Sequence, residues 1–274
     1  MDTITSRSNE KVKYIKSLNE KKFRQKYNTF YIEGIKVVEE ILSSKKAIDI
    51  LFIAYSKELL DKANGGKELF DKIIKLKTKI DLLEVSKDIF EYVVDTKSPQ
   101  GILAVVKIPN NSLESIKLNN TQNVLILDKI QDLGNLGTII RTAEAFEISN
   151  IICIEGTTDV YSPKAVRSTM GSIFRQNIIY CKLKEQDKLV EILRKNNYKI
   201  YSTILEESSY IEDVTFKSKC AFVLGNEANG VSDYFKTVSD KNIKIKMSDK
   251  TDSLNVSVAA GIVMYKQYIE KTTK

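Results

Sequence analysis

NVLILDKIQDLGNLGTIIRTAEAF, residues 123–146, joins a short run of aliphatic residues to a segment with helical periodicity. The first six residues predict a buried β-strand, because they are short, apolar and partly β-branched. In the remainder, apolar residues recur at the spacing of one helix face: Leu136, Ile139, Ile140, Ala143 and Phe146. The stretch therefore predicts a strand followed by a helix, which is the repeating unit of a parallel sheet.

Further strand-like runs follow along the chain. With the first, they are NVLILD (123–128), NIICIE (150–155), NIIYCK (177–182), KIYSTIL (199–205), CAFVLG (220–225) and KIKM (244–247). Helical segments are predicted between most of them, and a long helix is predicted from about 255 to 271. This alternation predicts an α/β domain over 122–274, with a mostly parallel sheet and helices on both faces.

The residues before this region have a different, mixed pattern. Helices are predicted at 8–20 and 33–44, and strands at FYIEG (30–34), DILFIAY (49–55) and GILAVVKI (101–108). A polar stretch that opens with PNNS predicts a linker over 109–121. The 274 residues are therefore expected to form a smaller N-terminal α/β domain, 1–108, and the second domain, 122–274.

The composition excludes several kinds of chemistry. The chain has no His, which removes Ser-His-Asp triads, Cys-His pairs and His-based zinc sites. Three widely spaced cysteines form neither a zinc site nor a disulfide framework, and the glycines form neither GxGxxG nor a P-loop. No apolar run approaches the ~20 residues of a membrane span, and no signal peptide is evident. We therefore expect a cytoplasmic protein with reduced thiols and no membrane association.

Basic residues are concentrated near the N-terminus. The net charge is +7, and residues 11–26 contain seven basic residues against the single acid Glu20. Such a stripe could neutralise several RNA phosphates, and a solvated helix face explains it equally well. The candidate RNA-binding residues are Lys11, Lys13, Lys21, Lys22, Arg24 and Lys26.

Three polar junctions follow predicted strands and contain the candidate site residues. In the first, Asn135 is predicted to cap the following helix and leave its first N–H groups open to an anion. Arg141 lies off the apolar face of that helix. An N-cap and a surface arginine account for the same residues without any catalytic role.

The other two junctions lie near the end of the chain. GNEANG (225–230) places Glu227 where a ligand crevice is expected to open beyond a buried strand. In SLNVSVA (253–259), Ser253 or Asn255 is predicted to cap the last helix. A solvated loop and a close helix contact are the alternative explanations.

Together the three junctions resemble the signature motifs of the SpoU/TrmH-type RNA ribose 2′-O-methyltransferases, which belong to the SPOUT class. The motif N-x-G-x-x-x-R-x-A matches NLGTIIRTA (135–143), L-G-x-E-x-x-G matches LGNEANG (224–230), and the third block matches SLNVSVA (253–259). The first domain resembles the substrate-binding domain of that family in ITSRSNEKVK (4–13) and SPQGILAVV (98–106). The resemblance covers nearly the whole chain.

The resemblance implies a C-terminal domain knotted as a trefoil, with S-adenosyl-L-methionine bound in the knot and a homodimer interface beside it. The implied cofactor contacts are Thr203, Gly225, Ile245 and Leu254. The implied catalytic residues are Asn135, Arg141, Glu227, Ser253 and Asn255. The implied reaction is transfer of the cofactor's methyl group to a ribose 2′-hydroxyl of RNA, without a metal.

The chemistry of arginine limits the role that Arg141 can take. A guanidinium has a pKa above ~12 and is a poor base. We expect Arg141 to grip a phosphate and stabilise developing alkoxide charge, while Asn135 and Glu227 orient the ribose and Arg141. Ser253 and Asn255 would complete the pocket.

The sequence departs from the family pattern in three places. Ala228 stands where many members have Gly, Ile245-Lys246-Met247 lacks the common central Pro, and 248–252 lacks a Gly that usually precedes the Ser. These departures concern loop geometry and substrate identity, because no candidate catalytic side chain is missing.

Structured 23S rRNA is the expected substrate, because the N-terminal domain resembles those of members that act on ribosomal RNA. A tRNA 2′-O-methyltransferase and a catalytically silent RNA-binding ribosome-assembly factor are the alternatives. A small-molecule methyltransferase would not need the basic stripe at 11–26.

Overall fold

The computed structural model describes residues 3–44, 48–75, 80–116, 118, 123–216 and 219–272. The chain divides into two compact units. One comprises Met1–Pro109 with Tyr161–Gly171, and the other comprises Asn110–Val160 with Ser172–Lys274. Each unit is built on its own sheet, and the predicted α/β class is confirmed.

The first unit has a four-stranded sheet of mixed direction. Its strands are β1 (Thr29–Glu33), β2 (Ile50–Tyr55), β3 (Asp81–Glu84) and β4 (Ile102–Lys107), in the order β1-β4-β2-β3. β4 pairs antiparallel with β1 and β2, and β3 pairs parallel with β2. The helices are α1 (Glu10–Ser17), α2 (Lys21–Tyr27), α3 (Ile35–Ser43), α4 (Lys57–Lys62), α5 (Gly66–Lys75) and α6 (Lys87–Val93).

The basic stripe lies on α1 and α2. Asn9 caps α1 by accepting the N–H groups of Lys11 and Val12. Val12 and Ile15 of α1 are buried against Phe90 of α6, so the apolar spacing buries one face and leaves the lysines on the other.

The second unit has a seven-stranded sheet in which every pairing is parallel. Its strands are β5 (Val124–Asp128), β6 (Asn150–Ile154), β7 (Asn177–Cys181), β8 (Lys199–Thr203), β9 (Ser209–Tyr210), β10 (Cys220–Gly225) and β11 (Lys241–Lys244). The order is β7-β6-β5-β10-β8-β11-β9. β5 and β10 are therefore neighbours in the sheet, and their register pairs Val124 with Ala221, 97 residues further along the chain. The predicted parallel sheet is confirmed.

The remaining helices are α7 (Leu133–Ala145), α8 (Pro163–Thr169), α9 (Gln186–Lys195), α10 (Asp233–Val238) and α11 (Val256–Thr272). Side chains of α9 and α10, including Leu189 and Phe235, pack on alternate residues of the strands, such as Ile126 and Val223. α11 packs on α7 and contacts β10. These contacts place the N-terminus of α11 near the ends of the central strands.

The last strand differs from its prediction. β11 ends at Lys244, so the strand predicted at 244–247 is wrong beyond its first residue. Ile245 and Met247 line a cavity, which explains why apolar side chains continue after the strand has ended. Apolar spacing alone does not distinguish a strand from the wall of a pocket.

The division of the chain also differs in detail from the sequence pattern. The predicted linker 109–121 lies partly outside the described residues, and Leu113 within it is 4% exposed in the core of the second unit. The segment Tyr161–Gly171 groups with the first unit, where α8 packs on β1 and the rings of Tyr161 and Phe30 lie 4.8 Å apart. The limits 1–108 and 122–274, like the trefoil knot, stay predictions.

The structure also bears on the cysteines, on metal binding and on membrane-spanning helices. Cys153, Cys181 and Cys220 are buried and form no disulfide, and burial raises the pKa of each thiol to about 12. Within the described ranges, no group of three or more His, Cys, Asp or Glu could hold a metal ion. None of the helices in those ranges has the length and apolarity needed to cross a membrane.

Candidate active site

The two polar loops of the candidate site start side by side at the carboxyl edge of the second sheet. In the register of β5 with β10, Asp128 lies opposite Gly225. The loop 129–132 follows the first residue and the loop 226–230 follows the second. The buried Asp128 also accepts the N–H of Ser232 at 2.7 Å, which fixes the far end of the second loop. Parallel sheets bind their ligands at this edge.

Asn226 shapes the loop 226–230. Its Oδ1 accepts the N–H groups of Ala228 and Asn229, each at 2.9 Å, and its backbone pairs with that of Gly230. Gly225 must lack a side chain, because a Cβ there would lie 2.2 Å from the carbonyl carbon of Gly230. Ala228 is not among the residues with positive φ, so the departure from Gly introduces no backbone strain.

The N-terminus of α7 is capped differently from the prediction. Asp132 is the N-cap and accepts the N–H of Asn135 at 2.8 Å, so the prediction that Asn135 caps this helix is wrong. Glu227 reaches the same helix end and accepts the N–H groups of Gln131 at 3.0 Å and Asp132 at 3.1 Å. Carboxylates are favoured at this positive end of a helix. The sequence predicts an anion site at this helix end, and the structure places two of the protein's own carboxylates there, Asp132 on the Asn135 N–H and Glu227 on the preceding N–H groups.

Asn135 connects three of the candidate catalytic residues. Its Nδ2 donates to Oε1 of Glu227 at 3.1 Å, and its Oδ1 accepts Nδ2 of Asn255 at 3.0 Å. Asn255 in turn caps α11, since its Oδ1 accepts the N–H of Ser257 at 2.9 Å. Of the two predicted caps for the last helix, Asn255 is the one that the structure confirms. The chain Glu227–Asn135–Asn255 thus ties the β10 loop, α7 and α11 together.

The carboxylate of Glu227 is stabilised in its charged form. Burial alone raises its pKa, but the hydrogen bonds from the Gln131 N–H, the Asn135 amide and the Asp132 N–H outweigh burial and lower the pKa below its ordinary value. Glu227 is therefore ionised at neutral pH, with its oxygens already engaged. A carboxylate in this state is a weak base, and it holds the groups that donate hydrogen bonds to it in fixed positions.

A cavity of about 520 Å³ opens beside this chain, at the carboxyl ends of β8, β10 and β11. The four predicted cofactor contacts all line it: Thr203, Gly225, Ile245 and Leu254. Three of the predicted catalytic residues line it as well: Glu227, Ser253 and Asn255. Ligand pockets of roughly this volume bind small molecules and cofactors.

Arg141 is placed differently from the other candidates. It is exposed on α7 and is not among the residues that line the cavity. Its side chain makes no hydrogen bond or ion pair with the described residues, so the guanidinium is available to a ligand from solvent. Asn135 does not line the cavity either, but it is hydrogen-bonded to two residues that do.

Family models match both parts of the chain. The model of the SpoU rRNA Methylase family matches residues 122–265, which is more than half of the chain and includes every residue of the candidate site. The chain belongs to the SpoU rRNA methylase family. A second model, the MRM3-like substrate binding domain, matches residues 9–104 of this SpoU protein.

Known proteins resemble it over its whole length. The 23S rRNA (guanosine(2553)-2′-O)-methyltransferase RlmP of Bacillus subtilis is 34% identical, over 97% of this chain and 98% of its own. The AdoMet-bound rRNA methyltransferase of Sinorhizobium meliloti is 27% identical with a TM-score of 0.84, over 99% and 97% of the two chains. The AdoMet complex of the SpoU methyltransferase AviRb from Streptomyces viridochromogenes has a TM-score of 0.85 over 97% and 99%, and its 22% identity shows the shared fold alone.

The candidate RNA-binding residues of the SpoU protein lie on α1 and α2, and all but one are exposed. Arg24 is the exception, since it is 3% exposed and its Nη1 donates to the carbonyl of Leu18 at 2.7 Å. The prediction that Arg24 faces RNA is therefore wrong, because this guanidinium stabilises the turn between the two helices. The exposed lysines are Lys11, Lys13, Lys21, Lys22 and Lys26.

Sequence reasoning missed three residues that build the SpoU site. Asn226 shapes its loop and also donates to the carbonyl of Lys129 at 2.9 Å. Gln131 and Asp132 supply the N–H groups that hold Glu227. The spacing of an Asp three residues before Asn135 is an N-cap signal and could have identified Asp132. Nothing local predicts the contact of Asn226 with Lys129 or that of Gln131 with Glu227, because in each case the partner comes from another loop.

Proposed function

We propose that this SpoU protein transfers a methyl group from S-adenosyl-L-methionine to a ribose 2′-hydroxyl of 23S rRNA. The observation that carries the proposal is the cavity at the strand ends, bordered by the hydrogen-bonded chain Glu227–Asn135–Asn255. Family membership and the similarity to rRNA methyltransferases over the whole chain support the same reaction.

The cavity fits the cofactor in size and in character. Its walls include the apolar side chains of Ile245, Leu254 and Val263, which suit the adenine ring and the methylene groups of the cofactor. Gly225 and its loop present backbone groups to the same space. When bound, the cofactor supplies a methyl group on a positively charged sulfur, so no metal is needed for the transfer.

Glu227 is proposed to position the site rather than to take a proton. Its carboxylate is held by donors from the β5 loop and from Asn135 and keeps its charge at neutral pH. This arrangement fixes Asn135, which then orients Asn255 at the start of α11. Fixing the groups that surround a ribose hydroxyl accelerates transfer by removing unproductive orientations.

Arg141 is proposed to bind the RNA phosphate next to the target ribose and to stabilise the charge that develops on the 2′-oxygen. Its guanidinium is exposed and has no partner among the described residues, as a phosphate-binding arginine requires before RNA arrives. Ser253, exposed at the cavity rim, is proposed to complete the ribose pocket.

We also propose that the protein is a homodimer through α11. Four large apolar residues spaced along one face of this helix are between 37% and 53% exposed: Val258, Ile262, Tyr265 and Ile269. The opposite face is buried with Ala260, Val263 and Met264. A continuous exposed apolar stripe beside a ligand site is typical of a subunit interface.

Light scattering tests the proposed dimer. The wild-type protein should be a dimer, and Tyr265→Lys should be a monomer. Ile74→Lys, a control at another exposed apolar residue, should remain a dimer.

The proposed substrate is structured RNA that the lysines of α1 and α2 help to hold. The reaction is then expected in the cytoplasm, where cysteines that form no disulfide stay reduced. The proposal has a direct experiment. Calorimetric titration with S-adenosyl-L-methionine should give one site per chain, and incubation with cofactor and unmodified 23S rRNA should add one ribose methyl mark by primer-extension mapping.

The other possible results of these two experiments distinguish the alternative functions. Methylation of tRNA but not of 23S rRNA would reassign the substrate. RNA binding without cofactor binding, by protein shown to be folded, would make the chain a silent RNA-binding factor and overturn the proposal.

A further inference from the structure

Lys244 is the one cation among the described residues that line the cavity. The other charged residues of the lining are the acids Glu227 and Asp252. Two acids and one cation in the lining of a cavity are complementary in charge to a zwitterionic ligand. Its ammonium group would lie near an acid and its carboxylate near the lysine.

The position of Lys244 is fixed by its neighbours. It is the last residue of β11, at the carboxyl edge of the sheet, and its register partner on β9 is Tyr210. Its Nζ lies over the Tyr210 ring, 4.9 Å from the ring centre, and its side chain is half-buried. A cation–π contact of this kind orients an ammonium without neutralising it.

Lys244 forms no ion pair with an acid within the described part of the chain. Lys266 is bonded to Glu270, whereas Lys244 makes no ion pair with Asp252. A partly desolvated ammonium gains from an anion that shares its cavity. Its three donors are therefore available to a ligand.

We propose that Lys244 receives the carboxylate of the methionyl part of S-adenosyl-L-methionine and makes that carboxylate a requirement for tight binding. This inference rests on the proposed function, because it assigns one end of the same cofactor. No other cation is among the described residues that line the cavity, and the two acids there would repel a carboxylate that lacked such a partner.

The test compares two ligands that differ only in the carboxylate: S-adenosyl-L-methionine and its decarboxylated form. Both are titrated calorimetrically into the full-length protein. Wild type should bind the first about tenfold more tightly, as expected for a hydrogen bond between two charged groups. Lys244→Met should lose the preference by binding the first ligand more weakly, while its affinity for the decarboxylated ligand is unchanged. That unchanged affinity also shows that the variant is folded.

Two matched variants complete the experiment. Lys244→Arg should keep the preference, because it keeps a donor and the charge. Lys246→Met removes the same charge from an exposed residue that does not line the cavity, and it should behave as wild type.

The inference is overturned if wild type shows no preference, if Lys244→Met retains the wild-type preference, or if that variant binds neither ligand. Failure of wild type to bind either ligand would contradict the proposed function itself. The two failures are therefore distinguishable.

Discussion

Oε1 of Glu227 accepts a hydrogen bond from Nδ2 of Asn135 at 3.1 Å, although 92 residues separate them along the chain. The bond joins the loop after β10 to the first turn of α7, and the other end of the Asn135 amide holds Asn255. A single amide therefore sets the relative position of one acceptor, the Glu227 carboxylate, and one donor, the Asn255 amide, which come from two different elements beside the cavity.

Replacing Asn135 tests this connection. Asn135→Ala removes both hydrogen bonds and frees Asn255, so methylation turnover should fall by about 10- to 100-fold, the cost of misplaced reacting groups. The affinity for S-adenosyl-L-methionine should change little, because Asn135 does not line the cavity. Single-turnover methylation and calorimetry on the same preparation measure the two effects.

Asn229→Ala is the control for that variant, since the Asn229 side chain is exposed and only its backbone N–H is used in the loop. It should keep wild-type turnover. Equal losses in both variants would mean that the amide of Asn135 has no special part in the reaction.

Gly225 allows a second prediction, on cofactor binding. In Gly225→Ala the new Cβ would lie 2.2 Å from backbone atoms of Gly230 and Val231, so the loop 226–230 has to move. Overpacking of this kind costs about 1–3 kcal/mol, and the displaced loop borders the cavity. We expect calorimetry to show loss of most of the cofactor affinity.

Gly261→Ala is a matched change in α11. Its added Cβ would lie 3.8 Å from Thr142, an ordinary contact, and alanine favours a helix over glycine by roughly 0.5–1 kcal/mol. This variant should bind cofactor normally and unfold at the same or a higher temperature. Normal cofactor binding by Gly225→Ala would show that the loop adapts.

Local patterns in the sequence predicted the elements of the site better than its contacts. Strand–helix alternation predicted the parallel sheet, and the polar junctions after β5 and β10 indicated the correct edge. The prediction of a strand at 244–247 is wrong beyond Lys244, because the apolar side chains of Ile245 and Met247 line a cavity and do not belong to the sheet. The local sequence predicts Asn135 as a cap, because the side-chain partners that it has in the fold lie 92 and 120 residues away.

The burial of the Arg24 side chain could not be predicted from the sequence either. Arg24 belongs to the same run of basic residues as the exposed lysines around it, and only the folded turn shows that its guanidinium donates to the Leu18 carbonyl. The grouping of Tyr161–Gly171 with the first unit is a long-range contact of the same kind. Such contacts depend on the assembled sheets, which local periodicity does not describe.

Arg24 and Lys21 should therefore respond differently to substitution. Arg24→Ala leaves the buried Leu18 carbonyl without its donor, which costs about 1–3 kcal/mol of folding free energy. Lys21→Ala should leave stability within about 0.5 kcal/mol and lower the slope of log affinity for RNA against log salt by roughly one. Urea unfolding and RNA titrations at several salt concentrations measure both. A wild-type salt slope for Lys21→Ala would remove α2 from the RNA surface.

Arg141 offers a prediction about charge. Arg141→Ala should lower turnover by about 100-fold or more, as seen when a charged group that stabilises a developing oxyanion is removed, and should leave cofactor affinity unchanged. Arg141→Lys should recover part of the rate, because it retains a cation but not the fork of donors. An unaltered methylation rate in Arg141→Lys at every pH from 6 to 9 would contradict the proposed bidentate grip.

The lowered pKa of Glu227 predicts how its contribution to stability depends on pH. Because the folded pKa lies below the unfolded value, which is about 4.3, the unfolded chain binds more protons in the acid range. The stabilisation is therefore complete above that unfolded value and is lost as the pH falls through the folded pKa.

Glu227→Gln keeps the shape of the side chain but has only one acceptor for donors from Gln131, Asp132 and Asn135. Urea unfolding should show this variant to be less stable than wild type at pH 7, by roughly 1 kcal/mol for an exposed group, with the difference narrowing at pH 3. A difference that stayed constant between the two pH values would mean that the charge on Glu227 does not hold the two loops together.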